Sequence, residues 1–388
     1  MDLQSIKDGF ARAFGDTGEG LRFFYAPGRV NLIGEHLDYN GGYVFPCALN
    51  LGIYSAARKR GDSLIRLASG NMEPKVTVDS AHIFYDTKDG WANYPKAVIH
   101  ELLRMGYTPG GFDLYVWGDM PNNAGLSSSA AIELLTCAVS DRLFDLGVGS
   151  IERAKLCQRA ENGFVGVNCG IMDQFASGMG KKDNAILLDC STLEYQYVPL
   201  KLGDYRLIIS NTNKKRGLTD SKYNERREEC ERALHDLQKV CDIKNLCDLS
   251  ADDFEKYKNA IGDSVACNRA AHAVYENART KAAVKALNTG NLREFGKLMN
   301  LSHVSLRDLY GVSCTELDVL AEAAWNVEGV LGSRMTGAGF GGCTVSVVHK
   351  DAADSFIKNV GETYKTRTGL TADFYIAETG DGAGEIIK

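Results

Sequence analysis

The sequence predicts a fold that mixes helices with strands, arranged either as two or three domains or as one large α/β unit. Its 388 residues set that range of domain number, and a hydrophobic content of 44% is ample for a substantial core. Residues 112–117 alternate as a strand does, and after a loop the apolar residues recur at helical spacing, as at Ile132, Leu135 and Val139. A strand, a loop and a helix therefore follow one another.

Charge and targeting signals exclude several classes of function. A net charge of −6 and a pI near 5.7 argue against a surface for nucleic acid or for an anionic membrane. The N-terminus has no basic segment followed by an apolar one, and no apolar run approaches the length of a membrane span. Eleven cysteines without a C-x-x-C pair are most simply reduced thiols. We therefore expect a cytoplasmic protein.

A polar segment follows the first predicted strand. That strand covers residues 21–26 and is expected to break at Pro27. Residues 27–42 have the composition of a loop, but their polar and charged side chains alternate with apolar ones, which is rare in a solvated loop. We therefore expect the polar groups to face inward, towards a ligand. Glu35-His36 does not fit a zinc-hydrolase motif, because the H-E order is reversed and no second histidine follows.

An amphipathic helix is predicted over residues 91–103, with Pro95 in its first turn, where the missing N–H costs nothing. Trp91 and Tyr94 at its start either line an adenine pocket or belong to the core. From periodicity alone, the core is the better interpretation.

The segment 121–135 is the centre of the functional prediction. Its small, hydroxyl-rich loop runs into a helix N-terminus, where unpaired N–H groups and the helix dipole favour an anion such as phosphate. Gly125 allows the backbone to approach a ligand closely, and the three serines at 127–129 offer hydroxyls to phosphate or to a hard cation. A serine N-cap on an ordinary core helix explains this segment alone equally well.

A second polar cluster lies at residues 160–180. Glu161 closes the helical run before it, and Asp173 stands among small and apolar residues. An isolated aspartate before a helical turn is usually a cap. Here its apolar flanks predict partial burial, which needs a compensating partner or ligand, and Arg29 is a suitable cation.

The C-terminal half is predicted to be mainly helical. A strand over residues 205–212 is followed by a charged helix over 219–240, which carries Tyr223 near its start, and helices continue to about residue 326. Residues 333–348 match G-x-G-x-x-G, but a strand rather than a helix follows, so a Rossmann site is excluded. Such a glycine loop near the serine loop would instead help to wall an ATP pocket.

Three motifs stand in order along the chain: PGRVNLIGEHLDYNGG (27–42), PNNAGLSSSAA (121–131) and RMTGAGFGGC (334–343). Together they resemble the three motifs of the GHMP small-molecule kinase superfamily, and the first resembles the galactokinase signature. The resemblance spans nearly the whole chain, because NCGIMDQFASGMG, SKYNERREECERAL and SHVSLRDLYGVS are also similar to galactokinase segments.

The resemblance implies an α+β, two-domain GHMP kinase fold. Residues 1–200 would form an N-terminal domain with a mixed sheet and helices, and residues 201–388 a C-terminal α+β domain whose final strand is free to pack with the first. The active site would lie between them. The implied activity is ATP-dependent phosphorylation of α-D-galactose at its C1 hydroxyl, the entry step of the Leloir pathway, with ATP as co-substrate and Mg²⁺ as cofactor.

The resemblance also implies roles for individual residues. Asp173 and Arg29 would be catalytic, with Asp173 orienting the sugar hydroxyl and accepting its proton. The sugar would be held by Arg29, Glu35, His36, Asp38, Gly170, Asp173 and Tyr223. ATP would contact Gly125, Leu126, Ser127, Ser128, Ser129, Ala130, Ala131, Trp91 and Tyr94. Mg²⁺ would be bound by Ser129 and Glu161.

Two departures and two alternatives accompany this assignment. Residues 121–124 carry less glycine than many relatives, and 307–312 (RDLYGV) differ from the form RDDYEV. One alternative is a kinase for another small alcohol, such as N-acetylgalactosamine. The other is a sugar-sensing regulator, against which the intact Ser129-Ala130-Ala131 argues. The expected ligands are galactose and ATP, and neither nucleic acid nor a membrane is expected as a partner. The protein is expected to be a monomer or a weak dimer.

Overall fold

The computed structural model describes residues 2–15, 20–121, 125–214 and 219–387, and for residues 219–221 it describes the backbone only. Over this part of the chain there are eleven α-helices and thirteen strands in three sheets. The α+β architecture predicted for the chain is confirmed. None of the helices in the described ranges is long and apolar enough to cross a membrane.

A six-stranded mixed sheet combines five strands of the N-terminal half with β13 from the end of the chain. Its strand order is β13-β1-β3-β6-β4-β5. Only β4 and β6 run parallel among its neighbouring strands. Its strands are β1 (Arg22–Asn31), β3 (Pro46–Lys59), β4 (Leu64–Ser69), β5 (Val76–Asp79), β6 (Phe112–Gly118) and β13 (Gly384–Glu385). The predicted mixed sheet is therefore present, and the last strand of the chain joins it.

Two smaller sheets are antiparallel. The four-stranded sheet has the order β10-β11-β9-β12, and the three-stranded sheet has the order β2-β7-β8. Their strands are β2 (Tyr43–Val44), β7 (Asn184–Asp189), β8 (Tyr195–Pro199), β9 (Tyr205–Asn211), β10 (Val330–Thr336), β11 (Cys343–His349) and β12 (Asp373–Ala377). The strand that follows the third glycine-rich motif is β11, as expected.

The helices lie around these sheets. They are α1 (Leu3–Phe14), α2 (Asn93–Arg104), α3 (Ser128–Phe144), α4 (Ser150–Ala160), α5 (Met172–Met179), α6 (Thr219–Leu237), α7 (Ala251–Tyr257), α8 (Ser264–Asn288), α9 (Leu292–Ser305), α10 (Thr315–Trp325) and α11 (Ala353–Thr368). Of these, α3 is buried along most of its length and packs against β1, β3, α2 and α5. Its N-terminus therefore emerges from the middle of the molecule.

Three predicted elements differ from the structure. The first strand does not break at Pro27; it continues to Asn31 with a register shift between Pro27 and Arg29. This is tolerated because β13 pairs only with Phe24 and Tyr25, so beyond them the missing N–H costs no ladder bond on that edge.

The other two differences are local. Trp91 lies in a short 3₁₀ segment, Thr87–Ala92, ahead of α2 rather than inside the helix. Glu161 does not end a helix but begins a single π-helical turn, Glu161–Val165. Such turns often occur at functional positions.

The apolar core is shared by the two halves of the chain. One cluster packs Val30, Leu32 and Phe45 from the first half with Ile209 and Val345 from the second. Another joins residues of α5 and the 37–44 segment to residues of α6 and α8. The halves meet through a continuous apolar interior.

Candidate active site

One cavity of about 220 Å³ collects the polar segments predicted to carry function. Its lining comes from the end of β1, the 35–38 loop, the serine loop, the π-helical turn, the start of α5, α6 and the third glycine-rich loop. The lining residues are Arg29, Glu35, His36, Asp38, Gly125, Ser127, Ser128, Ser129, Glu161, Val167, Cys169, Gly170, Met172, Asp173, Tyr223, Gly337 and Ala338. The polar groups of the 29–38 segment are thus turned inward, as expected.

An ion pair joins the first motif to α5. Arg29 donates from Nε to Asp173 Oδ1 at 2.7 Å and from Nη2 to Asp173 Oδ2 at 2.8 Å. Planar, bidentate pairs of this kind fix both partners. The Asp173 side chain keeps 28% of its surface exposed whereas that of Arg29 keeps 4%, so the carboxylate is the partner presented to the cavity. The expected pairing of Arg29 with Asp173 is confirmed.

The serine loop is tied to the same pair. Ser127 Oγ donates to Asp173 Oδ2 at 2.5 Å, and Arg29 Nη1 donates to the Gly125 carbonyl at 2.7 Å. Ser127 has the left-handed backbone conformation, with φ 62°, and its side chain does not cap α3. The simple N-cap interpretation of this serine is therefore wrong. The first N–H groups of α3 are left for an anion.

Other members of the serine loop are placed differently. Ser128 and Ser129 line the cavity, whereas Leu126, Ala130 and Ala131 have buried side chains. The Ala131 N–H already donates to the Ser127 carbonyl at 3.0 Å. Any contact of Leu126 or Ala130 with a nucleotide would therefore be through the backbone.

Glu35 is held by several donors although it is 1% exposed. The Gly337 N–H donates to its Oε1 at 2.6 Å, Asn31 Nδ2 donates to its Oε2, and Arg334 Nη1 lies 3.5 Å from Oε1. Burial raises the pKa of Glu35 to about 7, against the opposing effect of Arg334. This carboxyl group can therefore change its charge close to neutral pH.

His36 stands in an aromatic wall. Its Nδ1 lies 2.8 Å from the Tyr39 hydroxyl, and its ring lies 4.7 Å from that of Tyr310 and 5.7 Å from that of Tyr223. Burial lowers the pKa of His36 to about 3, so the ring is neutral at physiological pH. Its Nε2 is buried and makes no hydrogen bond of good geometry among the described residues, although the Ala338 backbone lies close enough to the ring to affect its pKa. A ligand hydroxyl would satisfy this atom.

Asp38 and Gly170 are in direct contact. A Cβ atom on Gly170 would lie 2.0 Å from Asp38 Oδ2, so a larger residue here would have to displace the Asp38 side chain. Burial, followed by the nearby charge of Asp173, raises the pKa of Asp38 to about 6. The main-chain N–H groups of Tyr39 and Met172 approach its oxygens at 3.2 and 3.5 Å.

Ser129 and Glu161 line the same cavity, and burial raises the pKa of Glu161 to about 7, although the nearby Ser129 hydroxyl acts to lower it. Gln174 Nε2 donates to Glu161 Oε2 at 2.7 Å. A hydroxyl and a carboxylate are suitable oxygen ligands for Mg²⁺, and a divalent cation would offset the cost of burying this charge. The described residues contain no group of three or more His, Cys, Asp or Glu side chains able to hold a metal, so the remaining ligands would have to come from phosphates and water.

A second cavity of about 320 Å³ adjoins the first, because Ser128 and Ser129 line both. Trp91 and Tyr94 are in its lining, and the Trp91 indole N–H donates to the Pro74 carbonyl at 3.0 Å. Both residues also belong to the core cluster of the N-terminal half, Trp91 as a buried member and Tyr94 as a partly buried one, so the core interpretation is confirmed alongside the cavity lining. Aromatic rings in the wall of a cavity can stack on a flat aromatic group.

Several lining residues of the two cavities were not predicted. Ile53, Met72, Val116 and Met120 complete the apolar part of the second cavity. They carry no sequence signal, since they are ordinary strand and loop residues. Gly337, by contrast, belongs to the glycine-rich loop that was expected to lie near the serine loop; it has φ +82°, and a Cβ there would lie 2.9 Å from the Gly125 carbonyl. This loop therefore packs on the serine loop.

Family models match three parts of the chain. Residues 8–59 match the galactokinase galactose-binding signature, residues 93–181 match the GHMP kinases N terminal domain, and residues 283–366 match the GHMP kinases C terminal domain. The first and second matched regions contain Arg29 and Asp173, which form the ion pair described above.

Relatives of high identity extend over the full chain. A galactokinase of Fusobacterium nucleatum subsp. nucleatum is 56% identical over 388 residues, covering 99% of this chain and 100% of the relative. A galactokinase of Bacillus subtilis is 53% identical, with 99% of each chain covered.

Solved structures agree. The Lactococcus lactis galactokinase complexed with galactose has a TM-score of 0.97 and 47% identity, covering 99% of this chain and 100% of that one. The Methanococcus jannaschii mevalonate kinase, with a TM-score of 0.67 and 18% identity over 92% of this chain and 98% of that one, shares the fold. On this evidence the chain belongs to the galactokinase family of GHMP kinases.

Proposed function

We propose that this galactokinase transfers the γ-phosphoryl group of ATP to the C1 hydroxyl of α-D-galactose, giving galactose 1-phosphate and ADP, with Asp173 beside the reacting hydroxyl. The observation that supports this most is that Asp173 and the Ser127–129 turn border the same cavity and are joined by a 2.5 Å hydrogen bond. A phosphate at the turn and a sugar at Asp173 would therefore be neighbours.

Asp173 would orient the sugar hydroxyl and accept its proton as the phosphoryl group moves. Phosphoryl transfer has a loose transition state, so alignment and charge neutralisation matter more than a strong base. The bidentate bonds from Arg29 fix the position of the Asp173 carboxylate. Arg29 would also offset negative charge on the transferring group.

Ser129 and Glu161 would hold Mg²⁺, with the β- and γ-phosphates and water completing the shell. When bound, the ion neutralises phosphate charge. The supporting observation is that Ser129 and Glu161 line the same cavity and that the Ser129 hydroxyl lies close enough to Glu161 to lower its pKa, against the effect of burial. The triphosphate would lie along residues 125–131 and the adenine against Trp91 and Tyr94.

The sugar would be recognised by groups that are already fixed. Glu35, His36, Asp38 and Tyr223 would read its hydroxyls, and Gly170 would keep Asp38 in place. A site that hydrogen-bonds specific hydroxyls rejects an epimer, because its buried polar groups then lack partners. The buried Nε2 of His36 is such a group, since it makes no hydrogen bond of good geometry among the described residues.

The larger organisation is proposed as two domains, 1–200 and 201–388, with β13 completing the sheet of the first. We place the enzyme in the cytoplasm as a monomer or weak dimer. All eleven cysteines have free thiols, which is in keeping with a reducing compartment.

The experiment that tests this function is ADP release with galactose, glucose, N-acetylgalactosamine and mevalonate as separate acceptors. We expect turnover with galactose at least about 100-fold above that with glucose, since each lost hydrogen bond to a charged group costs about 1.5–3 kcal/mol. Preferred turnover of N-acetylgalactosamine or mevalonate would contradict the proposal. So would galactose binding without ADP release, which would indicate a sugar sensor.

A further inference from the structure

Gln174 follows Asp173 directly in the first turn of α5 and is completely buried. The side chains of Gln174 and Asp173 contact different groups of residues. Whereas Asp173 binds Arg29 and Ser127, Gln174 binds two glutamates from other helical segments. One helical turn therefore contacts both the sugar side and the cation side of the cavity.

The Gln174 amide group bridges these glutamates. Its Nε2 donates to Glu161 Oε2 at 2.7 Å and to Glu133 Oε2 at 3.2 Å, with Cys169 Sγ more distant at 3.7 Å, whereas its Oε1 has no hydrogen-bond partner among the described residues. Cys169 Sγ approaches the same Glu161 oxygen at 3.4 Å. Both donors therefore contact Oε2 of Glu161, and neither uses Oε1.

Glu133 is an unusual residue for the interior. It lies on α3, one turn after Ser129, and is completely buried. Its Oε1 has no hydrogen-bond partner, and no ion pair involves it among the described residues. Burial raises its pKa well above the ordinary value for glutamate. Burying a leucine of similar size at this position would cost less free energy than burying a carboxyl group. The contact with Gln174 is therefore the best explanation for a glutamate at position 133.

We propose that Gln174 is a positioning residue that fixes the Glu161 carboxylate beside Ser129 for metal binding, and that Glu133 holds Gln174 in this orientation. This inference rests on the proposed role of Glu161 as a metal ligand. Groups that orient a metal ligand typically change metal affinity by about 10–100-fold when removed. Because Gln174 and Asp173 are adjacent on α5, the same turn would set the metal ligand and the proton acceptor together.

The test measures how much Mg²⁺ strengthens nucleotide binding. Calorimetry gives the affinity for a non-hydrolysable ATP analogue, once with Mg²⁺ and once with a chelator. The affinity with Mg²⁺ divided by the affinity with the chelator, called here the Mg²⁺ ratio, reports on the metal site without turnover. Gln174→Leu removes both hydrogen bonds at similar size, and we expect the ratio to fall by about 10-fold or more. Galactose affinity should change by less than about threefold.

Two substitutions of Glu133 test its role, one that keeps the acceptor for Gln174 and one that removes it. Glu133→Gln keeps an oxygen that accepts from Gln174 Nε2, so its Mg²⁺ ratio should stay within about threefold of the wild type. Glu133→Leu removes that acceptor and should lower the ratio as Gln174→Leu does. Thr136→Val on the same helix is the matched control, because Thr136 Oγ1 is buried but donates only to the Ile132 carbonyl, at 2.8 Å.

Two results would overturn the inference. One is an unchanged Mg²⁺ ratio in Gln174→Leu while Glu161→Gln lowers it, which would leave Glu161 as a ligand and remove only the role of Gln174. The other is an equal loss of Mg²⁺ and galactose affinity in Gln174→Leu, which would indicate general damage. If Glu161→Gln itself leaves the Mg²⁺ ratio unchanged, Glu161 is not a metal ligand, and the positioning role of Gln174 fails with it.

Discussion

At the scale of single residues, Gly170 gives the sharpest prediction. A methyl group there would meet Asp38 Oδ2 at 2.0 Å, so Gly170→Ala must displace the Asp38 side chain or the loop that carries residue 170. Because Asp38 is proposed to accept a hydrogen bond from the sugar, galactose affinity should fall by about 10–100-fold, the value of a lost charged hydrogen bond. Calorimetric titration with galactose measures it.

Gly163→Ala is the matched control for that variant. Gly163 lies in the neighbouring π-helical turn, and a Cβ there would meet nothing within 4 Å. Its galactose affinity and melting temperature should therefore remain close to those of the wild type. Similar affinities for Gly170→Ala and Gly163→Ala would show that Asp38 does not contribute to sugar binding.

The two buried acids that are proposed to contact the sugar predict a pH dependence of galactose binding. Burial raises the pKa of Glu35 to about 7 and that of Asp38 to about 6, so each gains a proton as the pH falls through that value. A protonated carboxyl is a poorer acceptor for a sugar hydroxyl. Galactose affinity should therefore be complete near pH 8 and decline steadily to about pH 5. Titrations with the nucleotide-free enzyme across that range test this.

Glu35→Gln separates the two contributions to the pH dependence. The variant should bind more weakly at high pH and lose the part of the dependence centred near neutrality, leaving the part due to Asp38. An affinity that stays constant over the range, or rises as the pH falls, would contradict the assignment of these acids to the sugar.

The sequence predicted some residue contacts and not others, for a physical reason. Asp173 stands next to apolar residues, so it needed a cation, and Arg29 was a suitable partner; the structure has that pair. Glu133 and Gln174 lie inside helices with ordinary apolar neighbours. Their importance comes from contacts across 41 positions of the chain, which periodicity does not report.

At the scale of elements, the sequence predicted several helices and strands and missed others for identifiable reasons. Strands β9 and β11 and helices α3 and α6 were expected and are present. The continuation of β1 through Pro27 was missed, because whether a proline is tolerated depends on which strand lies alongside it. The π-helical turn that carries Glu161 was missed as well, since no local composition distinguishes it from the end of a helix.

The C-terminal strand β13 yields a prediction about stability. It pairs with Phe24 and Tyr25 of β1, and Glu385 accepts two bonds of 2.6 Å from Arg22. Removing residues 384–388 should lower the melting temperature by a few degrees, as expected for a loss of about 1–2 kcal/mol. Galactose affinity should not change, because β13 does not line the cavity.

Full-length Glu385→Gln is the companion variant. It keeps the strand pairing but removes the charge on Glu385, so its melting temperature should lie between those of the wild type and the truncated chain. Differential scanning calorimetry gives all three values. An unchanged melting temperature after truncation would mean that β13 contributes no stability to the sheet.

At the scale of the whole molecule, the shared core predicts cooperative folding of the two halves. Val30, Leu32 and Phe45 pack against Ile209 and Val345 across the proposed border near residue 200. A fragment of residues 1–200 would expose this surface and lack β13. We therefore expect it to show no cooperative thermal transition by circular dichroism, whereas the full chain unfolds in one step. A sharp transition in the isolated fragment would show that the first half folds alone.

The meeting of the halves also explains what could not be inferred about the site. Glu35 is held by Asn31 from its own motif and by Gly337 and Arg334 from the third motif, about 300 positions away. Each motif was recognisable from the sequence. The third motif was expected to lie near the serine loop, and Gly337 makes that contact. The fact that the third motif also holds Glu35 of the first motif needed the three-dimensional structure.

The central claim is that Asp173 acts on the reacting hydroxyl rather than merely holding the sugar. Asp173→Asn keeps the shape and one acceptor oxygen for Arg29, so galactose affinity, measured by calorimetry, should fall by no more than about 10-fold. The rate of a single turnover with saturating galactose and ATP should fall by about 10²–10⁴-fold, the usual contribution of proton transfer by a positioned group. A single-turnover rate within about threefold of the wild type, with galactose still bound, would contradict the account.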